Sequence, residues 1–359
     1  MTDNDWIDAA IDAAARRTHG ILAEVSDFPH ITHGGEWRCT PDGVWTGGFW
    51  AGILWLVAER SGDAGLRAAA GRFTDRLLPR ASDTRNHDLG FMFYPSAITG
   101  WRLTGEERYR QAARDAAAAL AGQFNPVAGF IPGWGFFGGQ DWSGSVLVDT
   151  VMNLPLLVWA AGQGGDPGLL EVARAHAATT LAHHVRDDGS VFHVYRFDPA
   201  TGAGLGGDTY QGLGPDSSWS RGQAWAITGF AILAGMTGDA AYRDASAAVA
   251  RYFLDQLPED GVPPWDFSAP GPDQPRDASA GAIAAYGFLR LYAITGDAGH
   301  LRTARRLLRA LALTCGNDTD RGGLLLHATA DLPHGLGIDG STMYGDYYYL
   351  KALLALRGH

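Results

Sequence analysis

Cysteine is nearly missing from this chain of 359 residues. Cys39 and Cys315 are the only two, too few for a disulfide framework and without the spacing of a metal site. That usage fits a reducing cytoplasm. No uninterrupted apolar run reaches the length of a membrane span, and Met1-Thr2-Asp3-Asn4-Asp5-Trp6 lacks the basic stretch and apolar run of a secretory signal. Secretion and membrane insertion are therefore not expected. Charged residues make up only 19% of the chain and the net charge is -11, which argues against a nucleic-acid partner, since phosphate binding needs a basic surface. A local arginine could still receive an anionic small substrate. Metal and phosphate motifs are also lacking. His183 and His184 are neighbours that point apart on a helix, and no Cys/His spacing resembles a zinc site. Gly202-Ala203-Gly204-Leu205-Gly206-Gly207 follows no parallel strand and carries no lysine. No metal or organic cofactor is expected.

What the chain does have is apolar bulk, at 46% hydrophobic residues, and a repeated turn. Ser61-Gly62-Asp63, Thr104-Gly105-Glu106, Gly164-Gly165-Asp166, Thr237-Gly238-Asp239 and Thr295-Gly296-Asp297 each follow an apolar, aromatic-rich stretch and precede an alanine- and arginine-rich one. Glycine ends one helix and the acidic residue opens the next, so each marks the turn of a helical hairpin. The apolar members are expected over 46–60, 91–103, 147–161, 220–236, 277–294 and 343–356. The amphipathic members fall over 4–23, 65–78, 107–123, 168–184, 240–256 and 298–313. Repetition of one hairpin at intervals of tens of residues signals a repeat architecture. Such a series can close into an all-α (α/α)6 toroid with the apolar helices inside, spanning 1–359 as a single domain. Strand character shows only at 189–197, read as a β-hairpin on the mouth.

In a toroid the segments entering the inner helices gather at one mouth: 42–48, 86–90, 134–145, 210–222, 265–277 and 334–346. They are long and rich in Gly, Trp and Asp, and long loops in a compact domain are usually functional. Two successive inner-helix starts carry carboxylates. Asp149 and Asn153 stand four apart within an almost wholly apolar stretch and share a face of any helix there. A buried carboxylate must be paired, solvated from a cavity or protonated. Asp149 could also simply complement a helix dipole, with Asn153 answering it, and Pro155 adds a kink or break. Asp88 follows Asn86 and His87, either as an N-cap or facing Asp149 across the cavity. Paired carboxylates in differing environments are the usual apparatus for acid/base attack at a glycosidic centre.

Trp45, Trp134, Trp142, Trp219 and Trp225 fall in or near the mouth segments, where aromatic faces can stack on sugar rings. Arg221 enters an inner helix between Trp219 and Trp225. It could grip a substrate carboxylate, or neutralise a buried aspartate such as Asp149. His193 and Gln211 carry little weight by themselves.

The chain resembles glycoside hydrolase family 88, the unsaturated glucuronyl hydrolases. The resemblance rests on His87-Asp88-Leu89-Gly90-Phe91 and on Asp149-Thr150-Val151-Met152-Asn153-Leu154-Pro155-Leu156-Leu157. It continues through Tyr210-Gln211-Gly212, Ser218-Trp219-Ser220-Arg221-Gly222-Gln223-Ala224-Trp225 and Tyr344-Gly345-Asp346-Tyr347-Tyr348. These pieces occur in family order over nearly the whole chain. The resemblance implies the same (α/α)6 fold and an enzyme that removes a 4,5-unsaturated uronic acid from the non-reducing end of a polysaccharide-lyase product. Chemistry would begin by hydration of the C4=C5 enol ether. Asp149 would be general acid and then base, and Asp88 would orient hydroxyls and steady the developing cation.

By the same resemblance His193, Gln211, Arg221 and Trp225 surround the unsaturated sugar, with His87 and Asn153 beside the carboxylates. Trp45 and Trp219 wall that subsite, and Trp134 and Tyr344 meet the next sugar. Some members that accept sulfated fragments carry Ser-x-x-Ser-x-Lys before the position of Tyr344. His334-Gly335-Leu336-Gly337-Ile338-Asp339-Gly340 has neither serine nor lysine, which argues against a preference for 6-sulfated disaccharides. The expected protein is cytoplasmic, monomeric or weakly homo-oligomeric, and free of nucleic-acid and membrane partners. The competing functions are an unsaturated rhamnogalacturonyl hydrolase, a sugar 2-epimerase using His87 and His193, and a non-catalytic oligosaccharide-binding protein.

Overall fold

The repeated turns act in space as their chemistry dictates. Gly62, Gly105, Gly238 and Gly296 end helices in the left-handed region, and Gly164 adopts the same conformation. Asp63, Asp239 and Asp297 then accept a backbone N–H of the following helix as N-caps. Glu106 departs from this pattern, turning its carboxylate to Arg108 at 2.6 Å.

A computed structural model describes residues 4–133 and 142–359. Its helices are α1 (Asp5–Glu24), α2 (Gly47–Ser61), α3 (Ala64–Leu77), α4 (Leu89–Phe93), α5 (Thr99–Thr104), α6 (Glu107–Ala121) and α7 (Leu154–Gly162). They continue as α8 (Gly168–His183), α9 (Ser220–Thr237), α10 (Ala240–Gln256), α11 (Ala278–Thr295), α12 (Ala298–Thr314) and α13 (Met343–Arg357). Outer and inner helices alternate. The outer ones are amphipathic: α12 buries Ala304, Leu307, Leu308 and Leu311, the i, i+3, i+4, i+7 stripe of a one-faced helix. The inner ones are apolar nearly all round, α9 burying fourteen of its residues from Ser220 to Ala234. Each inner element packs on the next, α9 on α11, α11 on α13, and α13 back on α2, so the ring closes. Among the described residues no helix is long and apolar enough to cross a membrane.

Two inner elements differ from expectation. The segment read as one helix over 147–161 is a 3-10 turn, Val148–Met152, followed by α7, with Asn153 at the junction. Pro155 lies in the first turn of α7, where a missing N–H leaves no hydrogen bond unmade. Asp149 and Asn153 therefore do not share the face of a continuous helix. The segment over 91–103 is likewise divided, α4 passing through a π-helical turn at Tyr94–Ile98, which contains Pro95, before α5.

Strand content also exceeds the expectation of one hairpin. β1 (Phe28–His33) and β2 (Glu36–Thr40) form an antiparallel hairpin across Gly34 and Gly35. β4 (Val194–Phe197) and β5 (Gly204–Asp208) are the hairpin expected near the mouth, with β4 starting later than 189, and β3 (Ser145–Leu147) pairs on the other side of β4.

Candidate active site

The start of the second inner element meets the break in the third at Asn153. Its Oδ1 accepts the Phe91 N–H at 2.7 Å and its Nδ2 donates to Asp88 Oδ1 at 3.2 Å. The contact is close enough to require glycine at position 90, where a Cβ would lie 2.4 Å from Asn153 Cα. Asp88 occupies the N-cap position of α4, but its side chain makes no capping bond. The neighbouring amide caps α4 instead, which leaves the Asp88 carboxylate available to the cavity.

Asp149, in the 3-10 turn, brings its carboxylate to that of Asp88. One donor atom each from His87, Asp88 and Asp149 lie within 4.8 Å of one another, and His87 Nε2 is 3.5 Å from Asp88 Oδ1. The two aspartates are thus adjacent rather than facing across a wide cavity. Among the described residues this is the one trio whose spacing could hold a metal ion. The fit is poor, because His87 and Asn153 both address Asp88 Oδ1 rather than a shared central point.

Burial pushes both carboxyls up to about 7. Within that rise the neighbours act in opposite senses: the Asn153 donor holds Asp88 down, while the charge of Asp88 raises Asp149, so the two carboxyls titrate as a coupled pair. His87 and Arg221 temper that rise. Asp149 Oδ1 is buried and has no hydrogen-bond partner among the described residues.

Arg221 enters from α9 and is 1% exposed. Its partner is Asp277 at the start of α11, at 2.5 Å, and not Asp149. The same guanidinium donates to the carbonyls of Thr329 and Ala330 and lies over the rings of Trp219, 4.4 Å, and Tyr344, 5.0 Å. Three of an arginine's five N–H donors are thereby used on protein. Asp277 splits its oxygens, one for Arg221 and one for the Ser279 N–H and hydroxyl.

His193, just before β4, stacks on Trp219 with ring centres 4.3 Å apart. Its Nδ1 accepts the backbone N–H groups of Tyr210 and Gln211 at 3.2 and 3.3 Å, which assigns the ring proton to Nε2. Burial and the Arg221 charge push its pKa down to about 3, so the ring is neutral. The Nε2–H is buried with no partner among the described residues.

The aromatic residues close around this centre. Trp45 stacks on Tyr344 with ring centres 5.1 Å apart and touches Phe91, which meets Trp225 at 4.9 Å. Gln211 commits its Nε2 to the Ala330 carbonyl at 2.8 Å, the same carbonyl that Arg221 uses. His87, Asp88, Asp149, Asn153, His193, Gln211, Trp219, Arg221, Trp225, Trp45 and Tyr344 are thus linked in one constellation. Trp134 lies outside the described residues.

Sequence reasoning missed Asp277, although it opens an inner helix just as Asp88 does. It also missed the rim cluster in which His334 stacks on Tyr210 at 4.2 Å and bonds Asp331 Oδ1 at 2.8 Å. No spacing signal marks that cluster, since 210 and 331 meet only when the ring closes.

No family model matches the chain. It is 37% identical to the unsaturated glucuronyl hydrolase of Bacillus sp. (strain GL1), over 98% of this chain and 96% of the relative. It is 35% identical to the unsaturated chondroitin disaccharide hydrolase of Streptococcus pyogenes serotype M1, over 91% and 85%. Among solved structures, the Bacillus sp. GL1 enzyme superposes with a TM-score of 0.90 at 36% identity, covering 97% of this chain and 96% of that one. An unsaturated glucuronyl hydrolase specific for heparin gives 0.91 at 33%, covering 98% and 97%. With the ring architecture and full-length similarity agreeing, the chain belongs to the unsaturated glucuronyl hydrolases, glycoside hydrolase family 88.

Proposed function

We propose that this enzyme removes the 4,5-unsaturated glucuronic acid from the non-reducing end of glycosaminoglycan-type oligosaccharides left by polysaccharide lyases. The observation that carries this reading is the close pair of carboxyls, Asp88 and Asp149, both pushed up to about 7 so that the pair can hold a proton near neutral pH, with the Asn153 amide on Asp88 alone. Relatives named for unsaturated glucuronyl, chondroitin-disaccharide and heparin substrates support the substrate class.

Asp149 gives its proton to C4, and the C4=C5 electron pair forms the new C–H bond. Positive charge at C5 is shared with the ring oxygen, opposite the Asp88 carboxylate. Asp149, now ionised, takes a proton from water as the water oxygen bonds to C5. The hemiketal opens by breaking the bond from C5 to the ring oxygen, and the hemiacetal at C1 then releases the remaining saccharide. His193 Nε2–H and the unused donors of Arg221 supply hydrogen bonds and positive potential for the uronate. Trp45, Trp219 and Trp225 supply apolar faces, His87, Asn153 and Gln211 fix polar groups beside the sugar, and Trp134 and Tyr344 meet the next ring.

The reaction needs no metal or organic cofactor. We place it in the cytoplasm, a compartment supported by two unpaired cysteines, one exposed and one buried. The span 1–359 acts as one catalytic unit, monomeric or weakly homo-oligomeric.

The test is ultraviolet absorbance of lyase-made unsaturated disaccharides from chondroitin, hyaluronan, heparin and pectin, incubated with the protein. Loss of the conjugated double-bond signal on glycosaminoglycan products is expected. Loss on the pectin product alone would instead indicate a rhamnogalacturonyl hydrolase, and no loss on any would favour an epimerase or a binding protein.

A further inference from the structure

Below the catalytic centre, toward the C-terminal ends of the inner helices, lies a second cavity of about 110 Å³. Its roof includes Gly90, Phe91 and Met152, so it sits directly beneath the segments that carry Asp88 and Asp149. Two cations reach it, Arg290 from α11 and Lys351 from α13. Lys351 is the only lysine in the chain. Its Nζ donates to the Tyr347 hydroxyl at 3.0 Å and lies over the rings of Tyr286, 4.8 Å, and Tyr347, 5.0 Å. Arg290 Nε is buried with no hydrogen-bond partner among the described residues. No carboxylate among the described residues pairs with either cation.

Two part-buried cations with no facing carboxylate make this tyrosine-walled space electropositive, and the buried Arg290 Nε–H lacks an acceptor that an anion would supply. The walls add O–H donors from Tyr94, Tyr286 and Tyr348. The volume is well below that of pockets that hold drug-sized ligands, which excludes an oligosaccharide but leaves room for a small anion. We propose that Arg290 and Lys351 form a second binding site, at the base of the barrel, for one small oxyanion, either a free inorganic anion of the sulfate or phosphate type or a single sugar carboxylate. It is separate from the hydrolytic site, and its occupant touches both interrupted inner elements through Tyr94, Pro95, Met152 and Pro155.

Calorimetric titration of the full-length protein at fixed ionic strength, with sodium sulfate, sodium phosphate and sodium glucuronate in separate runs, tests this. One anion is expected to bind per chain. Arg290→Gln and Lys351→Gln should each weaken binding about tenfold or more, the size expected for losing one charge-assisted hydrogen bond, with turnover in anion-free buffer unchanged. Lys351→Arg, which keeps the charge, should restore binding. The tighter of the inorganic anions and glucuronate identifies the source. Anions that bind both Gln variants as tightly as the wild type would overturn the proposal, as would no binding to the wild type below about 10 mM.

Discussion

Four of the inner elements of this barrel are uninterrupted helices and two are not, and the acids they carry differ accordingly. α11 begins with Asp277 and α13 carries Asp346, both fully buried. Asp277 caps its own helix and neutralises Arg221. Asp346 accepts the Leu325 N–H at 3.0 Å and is covered by Gly323, where even a Cβ would lie 2.1 Å from its other oxygen. These carboxylates hold loops and helices together. Asp88 stands at the start of α4 and Asp149 within the 3-10 turn, and neither caps its helix. An aspartate at an inner-helix start is thus not informative by itself. What separates a structural acid from a reactive one is access: Asp346 also has an oxygen with no hydrogen-bond partner among the described residues and is pushed up to about 7, but it is sealed beneath Gly323, whereas Asp149 is partly exposed.

The comparison breaks most sharply at Asp149. Asp149→Asn keeps the shape and removes the proton, so turnover should fall about 10²- to 10⁴-fold with substrate binding retained. Steady-state rates and calorimetric binding of an unsaturated disaccharide check both parts, and near-normal turnover would end the assignment.

On the regular side the expected damage is to stability. Arg221→Ala leaves Asp277 buried without its counter-charge and should cost about 3–5 kcal/mol of stability, read by denaturant unfolding. Unchanged stability would mean that the Arg221–Asp277 pair does not brace the mouth.

A subtler effect is expected at Asn153. Asn153→Ala removes the amide donor that holds the Asp88 pKa down against burial, so that pKa rises and the limb of the pH–rate profile that requires its charge moves to higher pH. An unmoved profile with lower activity would reduce Asn153 to a cap on α4.

Stability against pH gives a further contrast. Because burial raises Asp149 from 3.8 to about 7, the folded state holds a proton that the unfolded chain releases. That contribution is complete below 3.8 and is lost as pH rises to about 7. Asp149→Asn should therefore melt at a higher temperature than wild type above pH 7, and the advantage should vanish below pH 4. Smallest of all, a chelator should leave the rate unchanged; a rate lost to chelator and restored by a divalent ion would show that the trio of His87, Asp88 and Asp149 holds a metal.

Much of this barrel was legible because its turns are chemical punctuation. The glycine and acid at Gly238-Asp239 and Gly296-Asp297 fix where one helix stops and the next begins, and helix periodicity does the rest. The hairpin at 28–40 carries a local turn signal in Gly34-Gly35, set between two short runs that lack the strict alternation of a half-buried strand. The division of the third inner element was legible only in part: Pro155 signals a kink or break, but the 3-10 turn before it and the contact of Asn153 with Gly90 depend on a segment far away in sequence. In the site, Asp88 and Asp149 were visible as polar residues in apolar surroundings. The partner of Arg221 was not, because nothing local couples position 221 to 277 or to the carbonyls at 329 and 330.

The most direct measurement is a single-turnover reaction of the wild-type protein with an unsaturated disaccharide, following double-bond absorbance and released saccharide in the same samples. Protonation of C4 by Asp149 predicts that absorbance is lost no later than saccharide is released, and that in D2O one deuterium enters one face of C4. Saccharide appearing while the double bond persists would contradict hydration and assign the two carboxylates to direct attack at C1.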